Sequence, residues 1–311
     1  MPFDFAAIST PFRMQPGLRR IEPGMAQLTP NRIGARALRE KLAVLSCFSA
    51  QALLTEPGFE ATPALRTLCA QAVAEHPGRF EWDGADCFRA VRLGCTVDGD
   101  RVSGDGSTEI IKALAALPSP WRLPGLLCLA FAEDFAVIDG TSARIPWLAV
   151  CLPSNWPPEE KVGHHFADVH APVADNRLIV GAADHLARLV PGTDRWERFV
   201  WTITRHPRLH AHPARVDPTP WPAQGCADQI AAQAFFRTEH QTFIPVPGAG
   251  QAVFTIHVEL APLVQAIDTP DKAATLRDAL ASMSDAVLRY RSMEAVRDRL
   301  VDWLARRAAS A

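Results

Sequence analysis

Proline placement limits how long any element of this chain can run. The sequence carries 26 prolines and 18 glycines in 311 residues. Proline inside a helix removes a hydrogen bond and clashes with the preceding turn, so each Pro-Gly cluster marks a boundary. The first 35 or so residues, with Pro2, Pro11, Pro16, Gly17, Pro23, Gly24 and Pro30, read as an extended arm laid over the body. From Ala35 to Leu54 an apolar face of Leu38, Leu42, Leu45 and Phe48 predicts a helix, ended by Pro57-Gly58. A second helix over Thr62 to Glu75 begins at Thr62-Pro63 and stops at His76-Pro77-Gly78. The longest apolar candidate, Leu123 to Ile138, is broken by Pro124 and by Glu133-Asp134, so it falls short of the roughly 18 to 20 residues that span a bilayer.

Sheet signals begin beyond the N-terminal third, which reads as mainly helical. Val97 and Val102 flank Asp98-Gly99-Asp100 as a short hairpin, and Ser107 to Leu117 follows as a helix. Two strands are expected over Leu126 to Val137 and Pro146 to Pro153, turning at Asp139-Gly140-Thr141. Pro157-Pro158-Glu159-Glu160 has the character of a helix start, so Glu159 to His170 is expected as one helix closed by Pro172. Strands follow over Arg195 to Arg205, Ala234 to Val246 and Gln251 to Leu260, the last two joined through Pro247-Gly248-Ala249-Gly250. Pro270 to Arg307 supplies one or two closing amphipathic helices, with a break near Tyr290. The expectation is one α+β body over residues 1–311. It divides into a helical region (1–117), an antiparallel core with an embedded helix (118–262) and a C-terminal helical segment (263–311).

A net charge of -2 offers no positive field for phosphate backbones, which argues against nucleic acid as partner. Met1 to Arg20 lacks a basic start followed by an apolar run, so the expected location is cytoplasmic and away from membranes. The seven cysteines form no Cys-x-x-Cys pair, which suits reduced thiols and disfavours zinc ribbons, cysteine-held clusters and covalent c-type haem. There is no Gly-x-Ser-x-Gly elbow for acyl transfer, and Gly104-Asp105-Gly106 is too short for a phosphate loop.

Two groups of side chains could carry chemistry. His164, His165 and His170 lie on the embedded helix, and imidazole is the usual axial ligand of non-covalent haem. Residue type leaves the choice among the three open, beside the plainer reading of a capping histidine. Arg237, Glu239 and Gln241 alternate on a predicted strand and so share one face, with Thr238 and His240 on the other. An arginine can donate to bound dioxygen and a glutamate can hold a cationic amine, whereas the plainer reading is a solvated strand face with cross-strand ion pairs. His206, His210 and His212, set between prolines, make a weaker candidate for a loop metal site.

Cys151-Leu152-Pro153-Ser154-Asn155-Trp156, Glu160-Lys161-Val162-Gly163, Val169-His170-Ala171-Pro172-Val173, and Phe236-Arg237-Thr238-Glu239-His240-Gln241-Thr242 through Pro247 into Ala252-Val253-Phe254-Thr255-Ile256 occur in that order. Together they resemble the haem-dependent oxidative N-demethylase α-subunit family across most of residues 118–304. The resemblance implies a PAS-like haem-binding fold and a haem b held through His170 as axial ligand of the iron. It places Arg237, with Glu239 and Gln241, on the distal, oxygen- and substrate-facing strand. It further implies oxidative removal of a methyl group from a small amine by a monooxygenase. Dioxygen is the oxidant, and electrons pass from a separate reductase carrying flavin and a [2Fe-2S] centre. The chain departs from the family pattern at Phe243-Ile244-Pro245 and at His257-Val258-Glu259, positions that bear on amine choice. The alternative is a haem-binding or gas-sensing PAS-like protein without turnover; a relative that has lost haem and serves structurally is a third possibility.

Overall fold

The computed structural model describes residues 3–216 and 219–309; Pro2 of the proline-rich arm lies outside them. The strands run, in chain order, β1 (Arg19–Arg20), β2 (Leu53–Thr55), β3 (Phe80–Trp82), β4 (Cys87–Ala90), β5 (Cys95–Asp98) and β6 (Arg101–Ser103). They continue with β7 (Glu133–Asp139), β8 (Arg144–Ala149), β9 (Trp196–Thr204), β10 (Phe235–Val246) and β11 (Gln251–Pro262). Helices before β7 are α1 (Arg36–Cys47), α2 (Ser49–Ala52), α3 (Thr62–Glu75), α4 (Thr108–Ala116) and α5 (Arg122–Ala130). Between β8 and β10 come α6 (Phe166–His170), α7 (Arg177–Gly181), α8 (Ala183–Leu189) and α9 (Ala227–Ala232). The chain closes through α10 (Leu263–Ala266), α11 (Pro270–Ala281), α12 (Asp285–Tyr290) and α13 (Arg297–Ala308).

The expected α+β class holds. An antiparallel sheet in the order β1-β9-β10-β11-β7-β8-β2 forms the centre, with β10 and β11 paired along their whole length from Phe235↔Pro262 to Val246↔Gln251. The arm adds β1 to the sheet edge, and its Phe3, Phe5 and Phe12 pack on the C-terminal helices. A second sheet, β3-β4-β5-β6, contains the expected Val97↔Val102 hairpin and adds two strands, β3 and β4, that the sequence did not mark. Its strands are three or four residues long, too short for the two-residue alternation to stand out.

Two expectations were wrong in kind. Leu126 to Val137 is not one strand: α5 runs to Ala130, and β7 starts at Glu133. An apolar run buried on all sides carries no period, so helix and strand look alike in it. The buried end of α5 is resolved by side chains from afar. Asn31 Nδ2 donates to the Leu129 and Phe131 carbonyls, and Lys41 Nζ donates to Phe131 and Glu133. Nor is Glu159 to His170 one helix. A single 3-10 turn at Pro158–Glu160 gives way at Gly163, whose φ of 76° lies in the left-handed region, and only Phe166–His170 is α-helical.

The two faces of the central sheet have different covers. One packs on α1, α3 and α5 and, toward Trp201 and Phe236, on α9 to α13. The other carries Ala136, Ile138, Leu148, Ala252, Phe243 and Phe254, and Phe166, Val169 and Ala187 of the short helices α6 and α8 lie against it.

Candidate functional site between the sheet and α6

His165 opens α6, its Nδ1 accepting from Ala167 N at 3.1 Å. Phe166 and His170, four residues apart, share one helix face, with ring centroids 4.3 Å apart. His170 Nδ1 lies 2.8 Å from the Phe166 carbonyl. A carbonyl can only accept, so Nδ1 carries the proton and the Nε2 lone pair is left free; among the described residues no hydrogen bond engages it. Burial pushes the His170 pKa down to about 4, against the pull of the Phe166 carbonyl, and the charges of Arg198 and Lys161 push the same way. The ring therefore stays neutral at physiological pH. Its neighbours differ: His164 is exposed, and His165 has both nitrogens engaged, with Nε2 3.0 Å from Asp184.

Arg237, Glu239 and Gln241 do share a face of β10, and all three are buried. They form one chain of hydrogen bonds. Arg237 Nε donates to Ser154 Oγ at 2.8 Å, Ser154 Oγ donates to Glu239 Oε1, and Gln241 Nε2 donates to Glu239 Oε2 at 2.6 Å. The rest of the Arg237 fork reaches the carbonyls of Arg208 (3.0 Å), Leu209 (2.8 Å), Pro153 (3.3 Å) and Leu152 (3.4 Å). Arg237 thus clamps two loops to the strand, and burial lowers its pKa to about 10, still well above neutrality. The face is a dry, internally bonded carboxylate site rather than a solvated strand side.

Across the β9–β10 register Gln241 faces Arg198, which the sequence reading did not single out. Arg198 shares a narrow cleft with Pro16, Leu18, Ile138, Phe166, Val190 and Phe243. Its Nε is buried without a hydrogen-bond partner, and burial lowers its pKa against the attraction of Glu239. The signal was present as one charge within Trp196-x-Arg198-x-Val200, an otherwise apolar alternation. Ser154 was missed too, since nothing local marks a loop serine that bonds a strand 85 residues away.

The histidine run takes another course. His212 is buried, with Nε2 3.0 Å from Glu159 and Nδ1 accepting from Ala214 N, so a carboxylate remote in sequence supplies the partner. His210 Nδ1 donates to the Cys151 carbonyl at 2.7 Å. Among the described residues no group of three or more His, Cys, Asp or Glu side chains could hold a metal ion.

Fold and site together define an α+β protein with an apolar cleft between one face of an antiparallel sheet and Phe166 of a short helix, whose neutral His170 ring packs on Phe166. The sequence matches the family described as "Haem-dependent oxidative N-demethylase, alpha subunit-like" over residues 44–301. The chain belongs to that family. With membership come haem dependence and oxidative N-demethylation as the family's activity. Among the described residues no helix is long and apolar enough to cross a membrane.

The residues present fit a haem. α6 offers one neutral imidazole nitrogen as a ligand, the neighbouring cleft has apolar walls, and among those walls Arg198 Nε is buried without a hydrogen-bond partner.

Proposed function

We propose that the chain is the haem-binding subunit of a monooxygenase that removes a methyl group from a small amine. A haem b would be held beside α6 and the polar sheet face, in a PAS-like arrangement, with His170 as the residue that would bind its iron. The observation that carries this reading is the state of His170: a neutral ring, oriented through Nδ1 by the Phe166 carbonyl, with Nε2 free. Metal-bound histidines are oriented in this way by the hydrogen bond of the other nitrogen. Non-covalent binding agrees with free cysteines and no Cys-x-x-Cys-His run.

The bound haem supplies the oxygen-activating, electron-transferring chemistry. The chain supplies the substrate side. Glu239 is an acceptor fixed on both oxygens by Ser154 and Gln241, placed to receive an ammonium N–H and to take its proton. Arg237 serves the same site through Ser154 and by holding the 152–154 and 208–209 segments in place. Gln241 orients the Glu239 carboxylate. Electrons come from a separate reductase carrying flavin and a [2Fe-2S] centre, and the net reaction converts amine, dioxygen, two electrons and two protons to demethylated amine, formaldehyde and water. A cytoplasmic location completes the proposal.

Dimethylamine and trimethylamine titrations of the haem-loaded protein test it, followed by formaldehyde assay with a reductase. The expected result is an amine-dependent spectral change that Glu239→Gln weakens roughly tenfold or more, as loss of a charged hydrogen bond does, with the haem band retained. Neither a spectral change nor formaldehyde across a panel of methylamines would instead favour a haem protein without turnover.

A further inference from the structure

Arg198 is the one feature of the cleft that neither the clamp nor the carboxylate site uses. Its Nε is shut from water with no partner, a state that costs free energy and is rare in proteins unless a ligand relieves it. Glu239 attracts it, yet among the described residues no hydrogen bond joins the two, and the Glu239 oxygens accept instead from Ser154 and Gln241. Its neighbours Leu18, Ile138, Phe166, Val190 and Phe243 are apolar, so the cleft suits a molecule with a flat apolar body and an anionic oxygen. Arg198 is the charged side chain among the residues lining the cleft, whereas the nearby Arg237 has spent its fork on carbonyls.

We propose that Arg198 is the anion partner of the bound haem, donating its guanidinium N–H groups to an anionic oxygen there. This rests on the haem binding proposed above. Two sources share that chemistry: a carboxylate tail of the porphyrin, which the Arg fork matches in two parallel bonds, or an anion carried on the iron.

The experiment compares the parent with Arg198→Leu and Arg198→Lys. Each is titrated with haem b and with haem b dimethyl ester, which lacks the tail charges, and the ferric forms are titrated with azide. If the tail is the partner, Arg198→Leu weakens haem b roughly tenfold or more, Arg198→Lys less, and the ester binds all three alike. If the iron-bound anion is the partner, haem affinity holds while azide affinity falls by a similar factor. The proposal is overturned if Arg198→Leu matches the parent in all three titrations, or if haem b and its ester weaken equally, which would mean a role in cleft shape. A parent that takes up no haem overturns both this proposal and the one beneath it; a haem-binding parent with an indifferent Arg198 overturns this one alone.

Discussion

His170 shows how little chemistry one residue needs when its surroundings are fixed. Burial holds its pKa near 4, below the unfolded value of 6.5, so between these limits the unfolded chain binds the extra proton. The stability contributed by the neutral ring is therefore complete above pH 6.5 and lost as pH falls from 6.5 toward 4. We expect unfolding free energy to decline over that window by at most about 1.4 kcal/mol per pH unit for this proton. His170→Leu should flatten that part of the profile in urea melts, and an unchanged slope would show that the ring is not held neutral. Ser154 acts more directly on Glu239. Removing its hydroxyl strips one oxygen of Glu239 and the Arg237 Nε of their partner, so Ser154→Ala should cost about 1–3 kcal/mol by the same melts. A change within error would mean that water replaces the hydroxyl freely.

At the scale of elements, the cleft is walled by pieces with little stability of their own. α6 and α7 have five residues each and α8 seven, far below the length at which a helix persists alone, and Leu178 of α7 is exposed. A flat ligand entering between them and the sheet must be held by both, so haem should slow amide exchange across residues 166–189 more than in β10 and β11. Equal protection everywhere would place the ligand elsewhere. Gly140 sets one wall. A Cβ there would come within 2.8 Å of the Gly250 carbonyl and of Pro191 Cγ, and 3.0 Å of the Ala187 carbonyl. Gly140→Ala should cost about 1–3 kcal/mol and weaken haem uptake by displacing α8; parental melting and haem titration curves would show that the contact yields. Legibility followed the same division. The β10–β11 hairpin could be read because both stretches are rich in β-branched and aromatic residues and a Pro-Gly turn joins them. The α5–β7 boundary could not, because Asn31 and Lys41 decide it from about 100 and 90 positions away. At the site, residue types and alternation placed Arg237, Glu239 and Gln241 together, but which of the three histidines keeps a free nitrogen depends on Phe166 and Asp184, and the Arg198 vacancy on cross-strand register.

The whole molecule is tied together under the site by one buried ion pair. Lys41 Nζ of α1 lies 3.0 Å from Asp134 Oδ1 of β7, both side chains fully buried, and Asp134 Oδ2 accepts from Leu152 N at 2.6 Å. Helix, sheet and the segment leading to Ser154 meet there. Lys41→Met leaves an uncompensated buried carboxylate and should cost about 3–5 kcal/mol by denaturant melts, more than either site substitution; a loss below 1 kcal/mol would show that the pair is not holding these elements. Haem acts on the same balance from the other side: a ligand at a hundredfold its Kd stabilises the native state by about 2.7 kcal/mol. The measurement that tests the central claim most directly is the absorption spectrum of haem-loaded parent and His170→Gly protein, each with and without free imidazole. An axial His170 predicts a Soret band in the parent that shifts or collapses in the variant and returns when imidazole fills the gap. A variant that keeps the parental spectrum, indifferent to imidazole, would contradict it.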